Sequence, residues 1–301
     1  MMMATLSKIL FLLHRSAQNL KPPLLDGLSI YDIAKFFWKG LSQGSVSSRA
    51  ASISFSFFLA LFPGVIFLFT LIPFIPVQGF QYELFRLLEN ILPPNSFEAA
   101  QSTITDILTV KRGELLGLTV VGALVFATNG TLSIIDNFGQ TVHGLRTRGF
   151  WSQYLAALVL TLVLAILLIF GIAGMALTDL YLGTLIPGEA GEWITAASRW
   201  LVILVLVLLS VSFLFYFGPV RRAPWRFLSP GALLATFLVW LTSYLFGIYV
   251  TDFGRYNQLY GSIGTLMIIQ LWIFVNAVGL IIGFELNASM AEAKRQNQDQ
   301  A

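Results

Sequence analysis

The stretch Phe213–Gly231, FLFYFGPVRRAPWRFLSPG, decides the fold. It joins two long apolar runs through a short segment holding Arg221, Arg222 and Arg226. Pro219 has no N–H to give a helical ladder, so the run ending FLFYFG stops there. Ser229 is a good N-cap and Pro230 suits the first helical position, so a new helix starts at once. Trp225 is an amphipathic ring of the kind found at headgroup level. The stretch therefore reads as a cationic elbow between two membrane helices. The excess of Lys and Arg in cytoplasmic loops places the elbow on the cytoplasmic side and sets the direction of the chain.

Working outward, the composition agrees. Of 301 residues, 56% are hydrophobic and 11% charged, and mean hydropathy is +0.78. Soluble domains carry about 25% charged residues. Apolar runs of 18 or more residues recur, which is the signal of membrane helices. With no cysteine there is no disulfide framework, thiolate metal site or cysteine nucleophile. The net charge of +3 is explained by cytoplasmic loops rather than by nucleic-acid binding. Ile9–Leu13 is too short an apolar run for a secretory signal.

The expected architecture is all-α and polytopic, with six transmembrane helices. Residues 1–48 read as a cytoplasmic tail followed by an amphipathic helix that begins at Ser29, with Ile30, Ile33, Phe37 and Leu41 on one face. That helix lies on the membrane surface or packs on the protein's own cytoplasmic face. Residues 49–288 form the six-helix domain. Span one runs from Ala50 to Val77 with Pro63-Gly64 inside it, and two amphipathic helices follow between spans one and two, over 78–114. Span two covers Leu115–Phe138 and span three Tyr154–Tyr181, where Gly171 and Gly174 read as packing notches. Span four covers Arg199–Gly218 and is the span expected to be most exposed to lipid. Span five covers Ser229–Val250 and span six Gly261–Ala288, with Gly279 and Gly283 as a GxxxG contact. Residues 289–301 read as a polar, disordered cytoplasmic tail. Only five of the 18 Lys and Arg, namely Arg86, Lys111, Arg112, Arg199 and Arg255, fall on the outer side, so both termini are expected in the cytoplasm.

Span two carries the candidate site. Gly122, Phe126, Asn129, Ser133, Asp136 and Gln140 recur at steps of three and four and share a face. Polar groups in hydrocarbon are expensive, so this face should meet other helices or water. Gln270, Asn276 and Glu285 add polar groups in span six. Glu285 sits in a last turn, where the helix dipole disfavours negative charge. It calls for a cationic partner: Arg221, Arg222, Arg226 or Arg49. Asp136 reads either as an interfacial pair with a loop arginine or as part of a polar path. His143 reads as a solvated loop residue.

The block YFGPVRRAPWRFLSPGALLAT, with YNQLYGSIGTLMIIQLW and GFELNA after it, resembles the YihY/BrkB family of bacterial inner-membrane proteins. The resemblance runs from about Arg49 to Ala288. It implies six membrane helices and residence in the bacterial cytoplasmic membrane. An older label in that family is ribonuclease BN, and the residues give it no support. The chain has no phosphate loop, no HExxH and two histidines in all.

Two functions remain open on the sequence. One is a transporter or exporter of a lipid or an amphipathic, anionic solute, through a cavity lined by Asn129, Ser133, Asp136, Gln270, Asn276 and Glu285. In this reading Arg221, Arg222 and Arg226 hold anionic headgroups. The other is a membrane scaffold that binds a protein partner, in which the same polar residues are glue between helices. Membrane lipids are expected as partners in either case. No enzyme activity, cofactor, metal or nucleic acid is expected.

Overall fold

The computed structural model describes residues 29–74, 105, 113–143, 149–185, 188–219, 227–252 and 254–299. The described residues form seven α-helices and one 3-10 turn. These are α1 (Ile30–Gln43), α2 (Val46–Leu71), the 3-10 turn Ile72–Phe74, α3 (Gly113–Gly139), α4 (Phe150–Leu185), α5 (Glu189–Phe217), α6 (Pro230–Asp252) and α7 (Gly254–Asp299). Six of them, α2 to α7, contain apolar stretches long enough to cross a membrane. The fold is therefore an all-α, multi-pass membrane protein.

Local chemistry sets the helix ends. The hydroxyl of Ser29 accepts from the N–H of Tyr31 at 3.2 Å and starts α1. The hydroxyl of Ser229 accepts from the N–H of Ala232 at 3.2 Å, and Pro230 opens α6 as its position predicts. Before α5 stands Gly188 at φ 94°, a backbone setting that side chains rarely tolerate. α2 gives way to the 3-10 turn at Ile72, with Pro73 inside that turn.

The chain divides into two compact units. The larger holds residues up to Phe55 and from Thr131 onward. In it α6 and α7 run antiparallel with small residues at the seam. A Cβ on Gly279 would lie 3.2 Å from Leu238 Cβ, and one on Gly283 would lie 2.5 Å from Ala235 Cβ. The GxxxG contact is thus real: bare backbone lets the helices close. Similarly, α4 meets α5 where Gly171 receives Leu206 and Gly174 receives Val202. Phe138 of α3 stacks on Phe284 of α7 at 4.0 Å, and Phe215 of α5 meets both rings edge-on. Ile135, Ala157 and Leu160 form a further core patch with Leu132 and Phe213.

The smaller unit, Ser56–Gly130, contains the rest of α2 and the first part of α3. The hydroxyls of Thr70 and Thr119 meet at 3.0 Å, and Gly130 leaves room for the Phe57 ring.

Several expectations need correction. α7 does not begin at Gly261 or end at Ala288. Its 46 residues run from Gly254 to Asp299, so residues 289–299 are helical rather than disordered. Met290 and Ala293 hold that extension against Ile33 and Phe36 of α1. Thus α1 packs on the protein itself along this face. Span four does not begin at Arg199: residues 189–198 already form the first turns of α5. The N-terminal tail, the two helices expected over 78–114 (Thr105 and 113–114 apart) and Arg221, Arg222 and Arg226 lie outside the described residues.

Candidate functional site

The two fully charged side chains in the buried set of the described residues are Arg49 and Glu285, and they pair with each other. Arg49 is 2% exposed and Glu285 is completely enclosed. Arg49 stands in the first turn of α2. It can reach inward because Gly44-Ser45 turns the chain sharply between α1 and α2, with Ser45 at φ 48°. Its Nε donates to the carbonyl of Asn137 at 2.8 Å, and Nη1 donates to the carbonyl of Gly44 at 3.3 Å and to Glu285. Nη2 is buried with no hydrogen-bond partner.

Glu285 is enclosed from the other side. Its Oε2 accepts from the hydroxyl of Thr141 at 2.9 Å and stands 3.8 Å from His143 Nε2. Gly40 makes the space: a Cβ there would lie 2.7 Å from Glu285 Oε2 and 3.2 Å from His143 Nε2. His143 Nε2 also faces the hydroxyl of Ser289 at 3.3 Å, and its ring meets Phe36 edge-on. Burial pushes the His143 pKa below its ordinary value, while Glu285 and Glu292 pull it back up. His143 is therefore a buried member of the cluster, not the solvated loop residue expected. The cluster ties α1, the start of α2, the end of α3 with the turn behind it, and α7.

The six candidate cavity residues differ in their surroundings. Ser133 and Glu285 belong to one network: Asn137 donates to the Ser133 carbonyl at 2.7 Å, and its own carbonyl receives Arg49. Asp136 is exposed and accepts from Gln153 of α4. Gln270 donates to the hydroxyl of Ser54 at 2.9 Å. Asn276 donates to the carbonyl of Trp272 at 2.8 Å and accepts from Thr242 at 3.3 Å. Asn129 is exposed. Of the four arginines offered to Glu285, Arg49 pairs with it, and the other three lie outside the described residues.

Sequence reading missed Asn137, Thr141, Ser289 and Asn287. Asn287 is fully buried, accepts from the Gly231 N–H at 2.9 Å and donates to Ser229 at 2.7 Å. A signal for it existed, since Asn287 stands one turn beyond Gly283 on the contact face. Among the described residues no three His, Asp or Glu side chains converge as metal ligands would.

The family model described as Virulence factor BrkB matches residues 37–301. A ribonuclease-like protein of Bacillus subtilis (strain 168), YfkH, is 29% identical over 255 residues, covering 82% of this chain and 91% of that one. The UPF0761 membrane protein Smlt0865 of Stenotrophomonas maltophilia (strain K279a) is 24% identical over 273 residues, 90% of this chain and 63% of its own length. A UPF0761 membrane protein of Xanthomonas oryzae pv. oryzae (strain PXO99A) is 23% identical over 278 residues, with 92% and 64% covered. The chain thus spans under two thirds of the length of these UPF0761 relatives. No solved structure matches.

Proposed function

The chain belongs to the BrkB family of integral membrane proteins, and on that premise we propose that it moves an amphipathic or lipid-like solute, with the Arg49–Glu285 cluster as a latch. The observation that carries this reading is the complete enclosure of a charged pair that ties α1, α2, α3 and α7. Apolar residues of similar volume commonly hold helices together as well as a buried ion pair or better. An ionisable pair in this setting is therefore read first as functional. Paired and dry, it holds the helix ends together. Separated, both charges demand water, which favours a second, hydrated arrangement. In this reading the chain lies in the bacterial cytoplasmic membrane with both termini inside, and Arg221, Arg222 and Arg226 meet anionic headgroups. The ribonuclease-like name of the Bacillus relative is not carried over, because His143 is engaged with Glu285 and Ser289.

The absence of native cysteine makes the latch testable by single Cys replacements. Ser133→Cys, at a buried position, should react slowly with a soluble maleimide. Adding Glu285→Gln to Ser133→Cys should speed its reaction at least about tenfold, the effect of about 1.4 kcal/mol on an opening equilibrium. In parallel, lipid composition and solute export are compared between null cells and cells complemented with wild type or Glu285→Gln. Unchanged Ser133→Cys reactivity, with no difference between null and complemented cells, overturns the reading.

A second reading has its own support. Gln270, Asn276 and Asn287 each bond to a neighbouring helix, as interhelical glue does. In that scaffold reading Glu285→Gln weakens the fold, and no solute depends on it.

A further inference from the structure

We propose that His143 is a proton-binding site that controls α1: a proton taken up there releases α1 from α7 and uncovers the Glu285 side of the latch. The ring is wedged between those two helices. On one side it meets α1, where it faces the Phe36 ring edge-on and a Cβ on Gly40 would lie 3.2 Å from Nε2. On the other it meets α7, with the Ser289 hydroxyl at 3.3 Å and Glu285 Oε2 at 3.8 Å. Its side chain is 4% exposed, so the ring meets water when α1 leaves. What holds α1 there is small: Ile33 packs on Met290 and Ala293, with Phe36 and Leu286 beside them. The turn at Gly44-Ser45, with Ser45 at φ 48°, separates α1 from α2 and offers a pivot.

Charge balance gives the proton its effect. In the closed cluster Arg49 of α2 holds Glu285 Oε1, and the two charges cancel. A protonated His143 at Oε2 adds a second cation beside one acid and leaves a net positive charge out of water, which is costly. Once α1 leaves, the ring is hydrated and takes its proton near the ordinary value of about 6.5. Burial sets the closed ring below that value, and Lys39 of α1 pushes the same way. Glu285 and Glu292 of α7, and a hydrogen bond with the Phe36 backbone, pull it part of the way back. Between the closed value and 6.5 the open arrangement binds more protons than the closed one, so falling pH favours it. His143 is the only histidine among the described residues, and it stands beyond the apolar span Leu116–Gly139. Histidine is the side chain whose charge ordinarily changes at physiological pH. Proton control deepens the latch and rests on it in one respect: the Arg49–Glu285 cluster must be able to open.

The test labels the full chain with nitroxides at Ala34→Cys of α1 and Gln296→Cys of α7, two exposed positions in a chain with no native cysteine. Their separation is measured in nanodiscs by pulsed electron paramagnetic resonance from about pH 7.5 to 5.5. This readout needs neither a solute nor thiol reactivity. A second, longer distance is expected. Its ratio to the shorter one should rise up to about tenfold over that range, the limit for one proton with an open-state value near 6.5. His143→Gln should abolish the rise. Lys39→Gln should shrink it and Glu292→Gln enlarge it, because they raise and lower the closed value. Gly40→Leu drives a side chain into Glu285 and His143 and should give the longer distance at every pH. If His143→Gln does not fold, the Lys39 and Glu292 variants carry the test. A single distance at every pH in the wild-type background, an equal rise in His143→Gln, or a rise unmoved by both Lys39→Gln and Glu292→Gln overturns proton control. A distance fixed against pH, with Ser133→Cys still freed by Glu285→Gln, removes the proton and leaves the latch. Ser133→Cys unmoved by Glu285→Gln removes the latch itself.

Discussion

Neutralising Glu285 should reveal how strongly the cluster is coupled. Glu285→Gln keeps the shape of the side chain, so it removes charge without opening a cavity. Arg49 then remains 2% exposed with bonds to two carbonyls, those of Asn137 and Gly44, and no counter-charge. Breaking one side of a buried pair costs about 3–5 kcal/mol. Arg49→Met should cost as much, because Glu285 would keep only the Thr141 hydroxyl and the His143 ring beside it. The double variant Arg49→Met/Glu285→Leu leaves no buried charge, and its main loss is the donor to the Asn137 carbonyl, about 1–3 kcal/mol. The double should therefore be milder than either single, with a coupling of at least about 3 kcal/mol, at the top of the usual range for neighbouring residues. Equilibrium unfolding in mixed micelles of rising SDS fraction, followed by the fluorescence of the seven tryptophans, measures all three. Ordinary side-chain hydrogen bonds between membrane helices average about 0.6 kcal/mol. Two singles within about 1 kcal/mol of wild type, adding up in the double, would refute the reasoning, since the pair would then behave as one more polar contact.

Other outcomes follow from the same packing. Gly283→Ala should cost about 1–3 kcal/mol or more by overpacking against Ala235 and the Gly231 carbonyl, while Gly247→Ala, whose Cβ meets nothing within 4 Å, should behave as wild type in the same SDS titration. Asn287→Leu leaves the Gly231 N–H buried without its acceptor and should lower stability by about 1–3 kcal/mol, which the SDS titration reads directly. His143 has a depressed pKa, so between that value and its ordinary 6.5 the unfolded chain binds more protons than the folded one. Stability is then full above 6.5 and falls as pH drops through that window. A melting series over about pH 5–8 should show His143→Gln losing this slope, and equal slopes in the two proteins would contradict the assignment. The groups facing the ring are Glu285 and Glu292 of α7 and Lys39 of α1, so the same series on Glu292→Gln checks the opposing pull.

Legibility followed the range of each signal. Caps and breakers act within a turn, so Ser229-Pro230 and the GxxxG pair could be read from neighbouring letters alone. The dipole argument for Glu285 assumed a helix end near Ala288, which the structure moves to Asp299, yet Arg49, one of the four arginines it offered, does pair with Glu285. Choosing among them needed the tertiary fold, because Arg49 is 236 positions away. The polar face of α3 shows where periodicity stops being informative. Spacing grouped Asn129, Ser133 and Asp136, but the buried polar residues are Thr128, Thr131, Ser133 and Asn137. One position along a helix is a turn of about 100°, and nothing in the spacing says which edge of a polar stripe points inward. The more costly charge, Asp136, drew attention, yet it is Asn137 that the core encloses. The C-terminal run KRQNQDQ misled for a related reason. Its composition is that of a disordered tail, but the helix continues through Glu292 and Arg295, paired at 2.7 Å, and is held by Met290 and Ala293 against α1.

The polar residues fall into two groups with different physical demands, and the difference bears on function. Along the α6–α7 seam the groups are neutral amides and hydroxyls, and Asn287, Ser229 and the Gly231 N–H satisfy one another. Such a seam fixes register and asks nothing of water. Around Arg49 the groups are charged, with one donor unmet and a titratable ring 3.8 Å from the acid. If register were the only requirement, amides would serve here as they do along the seam, with far less desolvation. A charged cluster differs in one respect that an amide seam cannot supply: when it opens, hydration of the ions returns part of the energy, so the open arrangement is accessible rather than forbidden. Accessibility of Ser133→Cys therefore separates the two designs more sharply than stability alone. A static lock keeps Ser133→Cys unreactive in every folded variant, whereas a latch exposes it once Glu285 is neutral and the protein is still folded.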